Sequence, residues 1–216
     1  MVEKTIYLVV CGETDNNLKN IYQGVSQDSR LNEKGVLQAQ LLGKWLKKYY
    51  PLPEAILSSP SLRAMDSACK IRNELFGEAN IPYITSMHLL HEVDHGDWEG
   101  KSDQELSAAY PKLYNQWQNN PMDMAFPNGE TMEEARARIL KIWVHDILTR
   151  PENIILVVGH GGVNYQIINH VLGSHRLRNI WQDNACLNII EREKSRSRIK
   201  LINSTAHLLN PLEALQ

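Results

Sequence analysis

Three short stretches of this chain carry side chains that could do chemistry, and each follows directly on an aliphatic run. Val10-Cys11-Gly12-Glu13-Thr14 offers a thiol, Ser58-Ser59-Pro60-Ser61-Leu62-Arg63 a guanidinium, and Gly159-His160-Gly161-Gly162 an imidazole. If Arg63 and a protonated His160 lower the pKa of Cys11, the thiol becomes a thiolate nucleophile. The same residue can equally be a small, half-apolar group filling space at a strand end. A single loop supplying both thiolate and anion cradle would need an arginine at position 17, where Asn17 stands instead. Arg63 falls in the first turn of a helix, where the helix N-terminus adds to its pull on an anion, unless it is a surface or carboxylate-paired arginine. Gly12 and Gly161 are the glycines expected to let backbone approach a ligand closely.

His91-Glu92-Val93-Asp94-His95 also spells the His-Glu-x-x-His of zinc hydrolases. Zinc needs both imidazoles one turn apart on a helix and a further ligand nearby. Here Gly96 and Gly100 follow and helical apolar periodicity fades, so neither a metal nor any other cofactor is expected. Cys69 and Cys186 read as core residues. His88, His145, His170, His175 and His207 share no spacing and receive no role.

The elements that must position these groups alternate. Thr5–Val10, Ala55–Leu57, Ile81–Thr85, Ile154–Val158, Leu187–Ile190 and Ile199–Ile202 are short β-branched or aliphatic runs that read as strands. Between them, Asn32 caps a helix with Val36, Ala39, Leu42 and Leu46 inward. Ser59 as cap and Pro60 as first residue open a second, with Leu62, Met65, Cys69 and Leu75 inward and Gly77 as its stop. Thr131-x-x-Glu134 is a capping box ahead of Ala135, Ile139, Ile142, Trp143 and Ile147. A fourth helix follows Gly161-Gly162, with Val163, Ile167, Ile168 and Val171, and ends near Gly173. Such alternation predicts a three-layer α/β/α fold with a mostly parallel sheet, and ligands beyond the carboxyl ends of its strands.

The chain has 216 residues, no repeat and no linker, and is read as one domain over residues 1–216. A formal charge of −2 argues against a nucleic-acid scaffold or a polybasic membrane binder, so any anion site must be local. The longest aliphatic run, Ile154–Val158, is far too short to span a membrane. With no signal-peptide pattern and three scattered cysteines, the expected location is the cytoplasm.

Taken together, these motifs resemble the histidine phosphatase superfamily, the phosphoglycerate-mutase-like fold, from Thr5 to His207. Leu8–Thr14 resembles the family's Leu-Val-Arg-His-Gly-Glu-Thr. Asn17, Gln23-Gly24, Asp28, Leu31-x-x-x-Gly35, Ser58-Ser59-Pro60-x-x-Arg63-Ala64, His91–Gly100, Pro127–Thr131 and Val158–Gly162 follow in order. The short stretch between Gly100 and Pro127 resembles the small broad-specificity phosphatases more than the larger mutases. The resemblance implies a phosphoryl pocket in which a histidine attacks phosphorus, a second histidine and two arginines hold the oxygens, and a glutamic acid protonates the leaving group. Carried over by motif, Glu92 is the acid, His160 the second histidine and Arg63 one arginine, with Asn17 and Gln23 as polar contacts. The family's Arg-His pair, however, reads Val10-Cys11 here.

That change leaves three functional expectations. One is a phosphatase-like protein with a degenerate phosphate pocket, its phosphohistidine chemistry lost, that binds a small anionic or phosphorylated metabolite as a pseudoenzyme. Another is an active phosphomonoesterase whose nucleophile is Cys11 or an activated water. The third is repurposed chemistry on a carboxylated or acylated small molecule, with Cys11 as acyl acceptor beside apolar Val10. Ligand specificity is expected in the loop from Lys101 to Asn128, whose Trp117, Met122, Met124 and Phe126 either line a pocket or cover the core. Nothing in the sequence decides between monomer and homodimer.

Overall fold

Aliphatic runs hydrophobic on both faces can be buried only between two layers of helices, and β1 (Lys4–Val10) and β4 (Ile154–Gly159) are runs of this kind. A computed structural model describes residues 2–77, 82–174 and 180–209. The expected strand start at Ile81 and the side chain of His175 lie outside the described residues.

Along the chain, β1 is followed by α1 (Asp15–Leu18), α2 (Glu33–Tyr49), β2 (Ala55–Ser58), α3 (Leu62–Phe76) and β3 (Ile84–Ser86). Then come α4 (Asp103–Ala109), α5 (Pro111–Asn119), α6 (Met132–Ile142), β4 and α7 (Gly161–Val171). The chain closes with β5 (Leu187–Glu193), β6 (Arg196–Ser204) and α8 (Ala206–Leu209). Six strands form one sheet in the order β3-β2-β4-β1-β5-β6. The β2/β3, β2/β4 and β1/β4 pairs are parallel, and β5 and β6 add an antiparallel edge. This is the α/β fold expected.

Alternate strand residues feed two cores. Ile6, Leu8, Ile155 and Val157 pack under α6 and α7 with Trp98 and Trp143, while Tyr7, Val9, Leu156 and Val158 pack under α2 and α3. Asn32 and Thr131 cap their helices as expected, the latter in a full capping box. Two expectations for α3 need correcting. Its cap position is Ser61, not Ser59, and the residues it buries are Arg63, Ala64, Ser67, Ala68, Ile71 and Leu75. Small side chains let this helix lie close to the sheet. Leu62 is therefore left 40% exposed and Met65 and Cys69 only partly covered.

The stretch expected as a specificity loop is instead largely helical. Ser102 and Glu105 form a capping box for α4, and Pro111 starts α5. Met124 and Phe126 belong to the core, and Trp117 and Met122 pack against it, so these four cover the core. Among the described residues, no helix is long and apolar enough to cross a membrane.

Candidate active site

Register brings the chemical groups together. Val10 pairs with Gly159 across β1/β4, and Ser58 with Val158 across β2/β4, so Cys11, Ser59 and His160 emerge side by side at the carboxyl edge of the sheet. From that edge β1 leads to α2 on one face and β4 to α7 on the other, which opens a crevice where the connections diverge. A cleft of about 410 Å³ occupies it. Cys11, Asn17, Gln23, Arg63, Glu92, His160 and Gly161, seven of the eight residues singled out by sequence, line this cleft.

The eighth, Gly12, is corrected. Its N–H donates to Ser67 Oγ at 2.9 Å, and a Cβ there would stand 2.5 Å from the Gly35 carbonyl oxygen. It is glycine so that the end of β1 can touch α2, and its backbone is not offered to a ligand. Gln23 is also largely committed, since its amide donates to Thr14 Oγ1 and its oxygen accepts from Ser29. Asn17 accepts from the Thr14 N–H and hydroxyl in the capping box of α1. Its Nδ2 is the end left to face a ligand.

Cys11 Sγ lies 3.9 Å from His160 Nδ1, and His160 Nε2 lies 2.8 Å from Ser59 Oγ and 3.4 Å from Ser61 Oγ. The hydroxyl read as a helix cap thus orients the imidazole instead. Glu92 accepts from its neighbour Val93 N–H at 2.9 Å and from Gly162 N–H at 3.2 Å. Any side chain at 162 would meet this carboxylate, since a Cβ there would sit 2.5 Å from Oε1.

Arg63 is buried and already paired. Nη1 donates to Asp28 Oδ1 at 2.9 Å and Nη2 to the Gly24 carbonyl at 3.2 Å, while Asp28 Oδ2 accepts the Leu62 N–H at 2.6 Å. Asp28 therefore uses both attractions, guanidinium and helix N-terminus, that were expected for a ligand anion. The Gly24–Asp28 loop is itself pinned by Glu99, which accepts from the amides of Val25, Ser26 and Gln27 and from Ser26 Oγ. Burial pushes the Glu99 carboxyl up, but these donors outweigh it and hold the group below its usual range.

Protonation corrects the expectation of an activated thiolate. Burial pushes the Cys11 thiol up to about 11, and Glu92 adds to this, although Arg63 pulls the other way. Burial, followed by the positive charge of Arg63, holds His160 well below its ordinary value. At neutral pH the pair is therefore a thiol beside a neutral imidazole. The segment His91–His95 is not helical: His91 Nδ1 bonds the Glu92 carbonyl and His95 Nδ1 the Gln23 carbonyl.

Other cleft residues were not anticipated, among them Asp103, at the start of α4, and Trp181, Asp183 and Asn184, ahead of β5. The Ser102-x-x-Glu105 box would have revealed the helix that places Asp103, whereas no local signal marks Trp181. Among the described residues the lining holds three carboxylates, Glu92, Asp103 and Asp183, against one guanidinium paired with Asp28. A degenerate phosphate pocket was expected, and among the described lining residues carboxylates outnumber the guanidinium.

Comparison with known proteins agrees with this architecture. The sequence profile of the histidine phosphatase superfamily (branch 1) matches residues 6–205. The uncharacterized phosphatase PhoE of Bacillus subtilis is 32% identical over 204 residues, covering 94% of this chain and 96% of that protein. Phosphoserine phosphatase 1 of Hydrogenobacter thermophilus is 29% identical over 206 residues, covering 94% and 93%. The solved structure of Bacillus stearothermophilus YhfR superposes with a TM-score of 0.84 at 29% identity, covering 95% of this chain and 99% of that one.

Proposed function

Because this chain belongs to the histidine phosphatase superfamily, we propose that it is a phosphatase-like protein that has given up the phosphohistidine route and uses the inherited cleft for binding. The observation that carries this reading is a neutral, buried Cys11 where the resemblance puts the attacking histidine. A phosphoryl group in transfer spreads negative charge over its equatorial oxygens, and catalysis is chiefly the preorganised positive charge that meets them. Val10 stands where the family has an arginine. Each charge-assisted hydrogen bond lost with it costs roughly 1.5–3 kcal/mol. The remaining arginine is balanced by Asp28, and the second histidine is neutral.

The test is phosphate release from an aryl phosphate and from phosphoserine under reducing conditions. It compares the wild type, Cys11→Ser, and the double variant Val10→Arg/Cys11→His, with folding checked by circular dichroism. The wild type is expected to be silent and the double variant to gain turnover. Wild-type release abolished by Arg63→Ala would refute the proposal. Loss in Cys11→Ser would then assign that turnover to the thiol.

A further inference from the structure

Trp181 stands apart from the other four tryptophans. Trp98 and Trp143 are fully buried and Trp45 and Trp117 are partly covered, yet Trp181 is 74% exposed on the cleft wall. It is also held in place. Its indole N–H donates to Asp183 Oδ1 at 2.9 Å, and Asp183 Oδ2 accepts from Asn203 Nδ2 at 2.7 Å. In return the Asp183 N–H donates to Asn203 Oδ1 at 2.8 Å. Gln182 exchanges two amide hydrogen bonds with buried Asn188. The segment is tied to the reactive strand end as well, because Ala185 N–H and Asn184 Nδ2 both donate to the Cys11 carbonyl.

This arrangement requires unusual backbone. Ala185 and Asn203 both adopt the left-handed region, at φ of 56° and 47°, and Asn20 on the cleft wall does so at 50°. Asparagine tolerates this region, but for alanine it is unfavourable, and at Ala185 it persists where surrounding bonds enforce it. The result is an exposed aromatic ring on the cleft wall, fixed through its N–H by Asp183.

We infer that the cleft binds a small molecule with a flat aromatic ring and a positively charged nitrogen, and that Trp181 is its specificity-determining residue. Two separate physical effects favour the cation. The face of an indole is electronegative and attracts positive charge, and Glu92, Asp103 and Asp183 outweigh the single paired guanidinium among the described lining residues. Both effects oppose an aryl phosphate dianion, whose ring could stack but whose charge these carboxylates repel. A volume of about 410 Å³ suits a ligand of this size. The inference rests on the reading of the cleft as a binding site without phosphohistidine turnover and names its ligand class.

Isothermal titration of the full chain with benzyltrimethylammonium and with phenyl phosphate tests it. The probes share a ring and differ in the sign of charge. Saturable binding of the cation is expected, with phenyl phosphate at least tenfold weaker. Trp181→Ala should weaken cation binding at least tenfold and Trp181→Phe less than about threefold, because phenylalanine retains a π face. Binding of phenyl phosphate as tight as the cation, no saturable cation binding, or an unchanged affinity in Trp181→Ala would each overturn the inference. These readouts are independent of turnover. Phosphate release by the wild type would instead strike at the proposed function.

Discussion

The state of the Cys11 thiol is open to direct measurement. Burial raises it from an ordinary 9.0 to about 11. Each unit by which a thiol pKa rises lowers the thiolate fraction tenfold near neutral pH, or about 1.4 kcal/mol. Two such steps make the nucleophilic fraction roughly 100-fold smaller than in a free cysteine. Only 4% of the residue is exposed, which slows a reagent further. Alkylation by iodoacetamide, followed by peptide mass spectrometry at about pH 7.5, should therefore find Cys11 at least ~100-fold slower than free cysteine. The partly exposed Cys69 should label first, and Cys186, buried and pushed up to about 12, should label last. The Cys11 rate should climb about tenfold per pH unit from 7 towards 10 without levelling. A plateau below pH 8, or labelling of Cys11 ahead of Cys69, would mean that Arg63 outweighs desolvation, and the argument for a neutral pair would collapse.

Two further outcomes concern the frame around the site. Glu99→Gln removes the charge that gathers four donors from Val25, Ser26 and Gln27; it should cost about 3 kcal/mol in urea unfolding, and a loss below about 1 kcal/mol would show that the loop is held by other contacts. His207, buried on α8, has its pKa lowered by burial to about 4. A histidine kept neutral when folded contributes stability fully present above its unfolded value of 6.5 and lost as pH falls towards the folded one, here about 3 kcal/mol in all. His91, His95 and His160 are lowered too and act in the same direction. Thermal midpoints measured between pH 7 and 5 should fall, and His207→Gln should flatten that slope; an unchanged slope would remove His207 from the account.

The sequence by itself determined that the motif residues at the strand ends meet on one edge of the sheet. Cys11, Arg63 and His160 each follow a strand, and a parallel sheet collects the carboxyl ends of its strands on one edge. Strand runs and the caps at Asn32 and Thr131 are local signals, legible because period and capping chemistry act over a few residues. Where local signals mislead, the reason is also physical. The buried face of α3 is built from Ala64, Ser67 and Ala68, so reading large apolar residues as the core stripe shifted its phase. Gly12 looked like a ligand contact but serves the approach of α2 to β1.

Only the tertiary structure decided the chemistry of the site. Whether Cys11 is thiol or thiolate depends on desolvation set against one guanidinium, a balance of distances and burial that no spacing encodes. The availability of Arg63 to a ligand depends on Asp28, which is 35 positions away in the chain and within 2.9 Å in space. Trp181 and Asp183 join the cleft because the segment before β5 is fastened to Asn203 and to the Cys11 carbonyl. Charge and shape in a cleft are sums over groups brought together from the whole chain. Residue types can therefore be read in sequence, but their combined field exists only once the chain has folded.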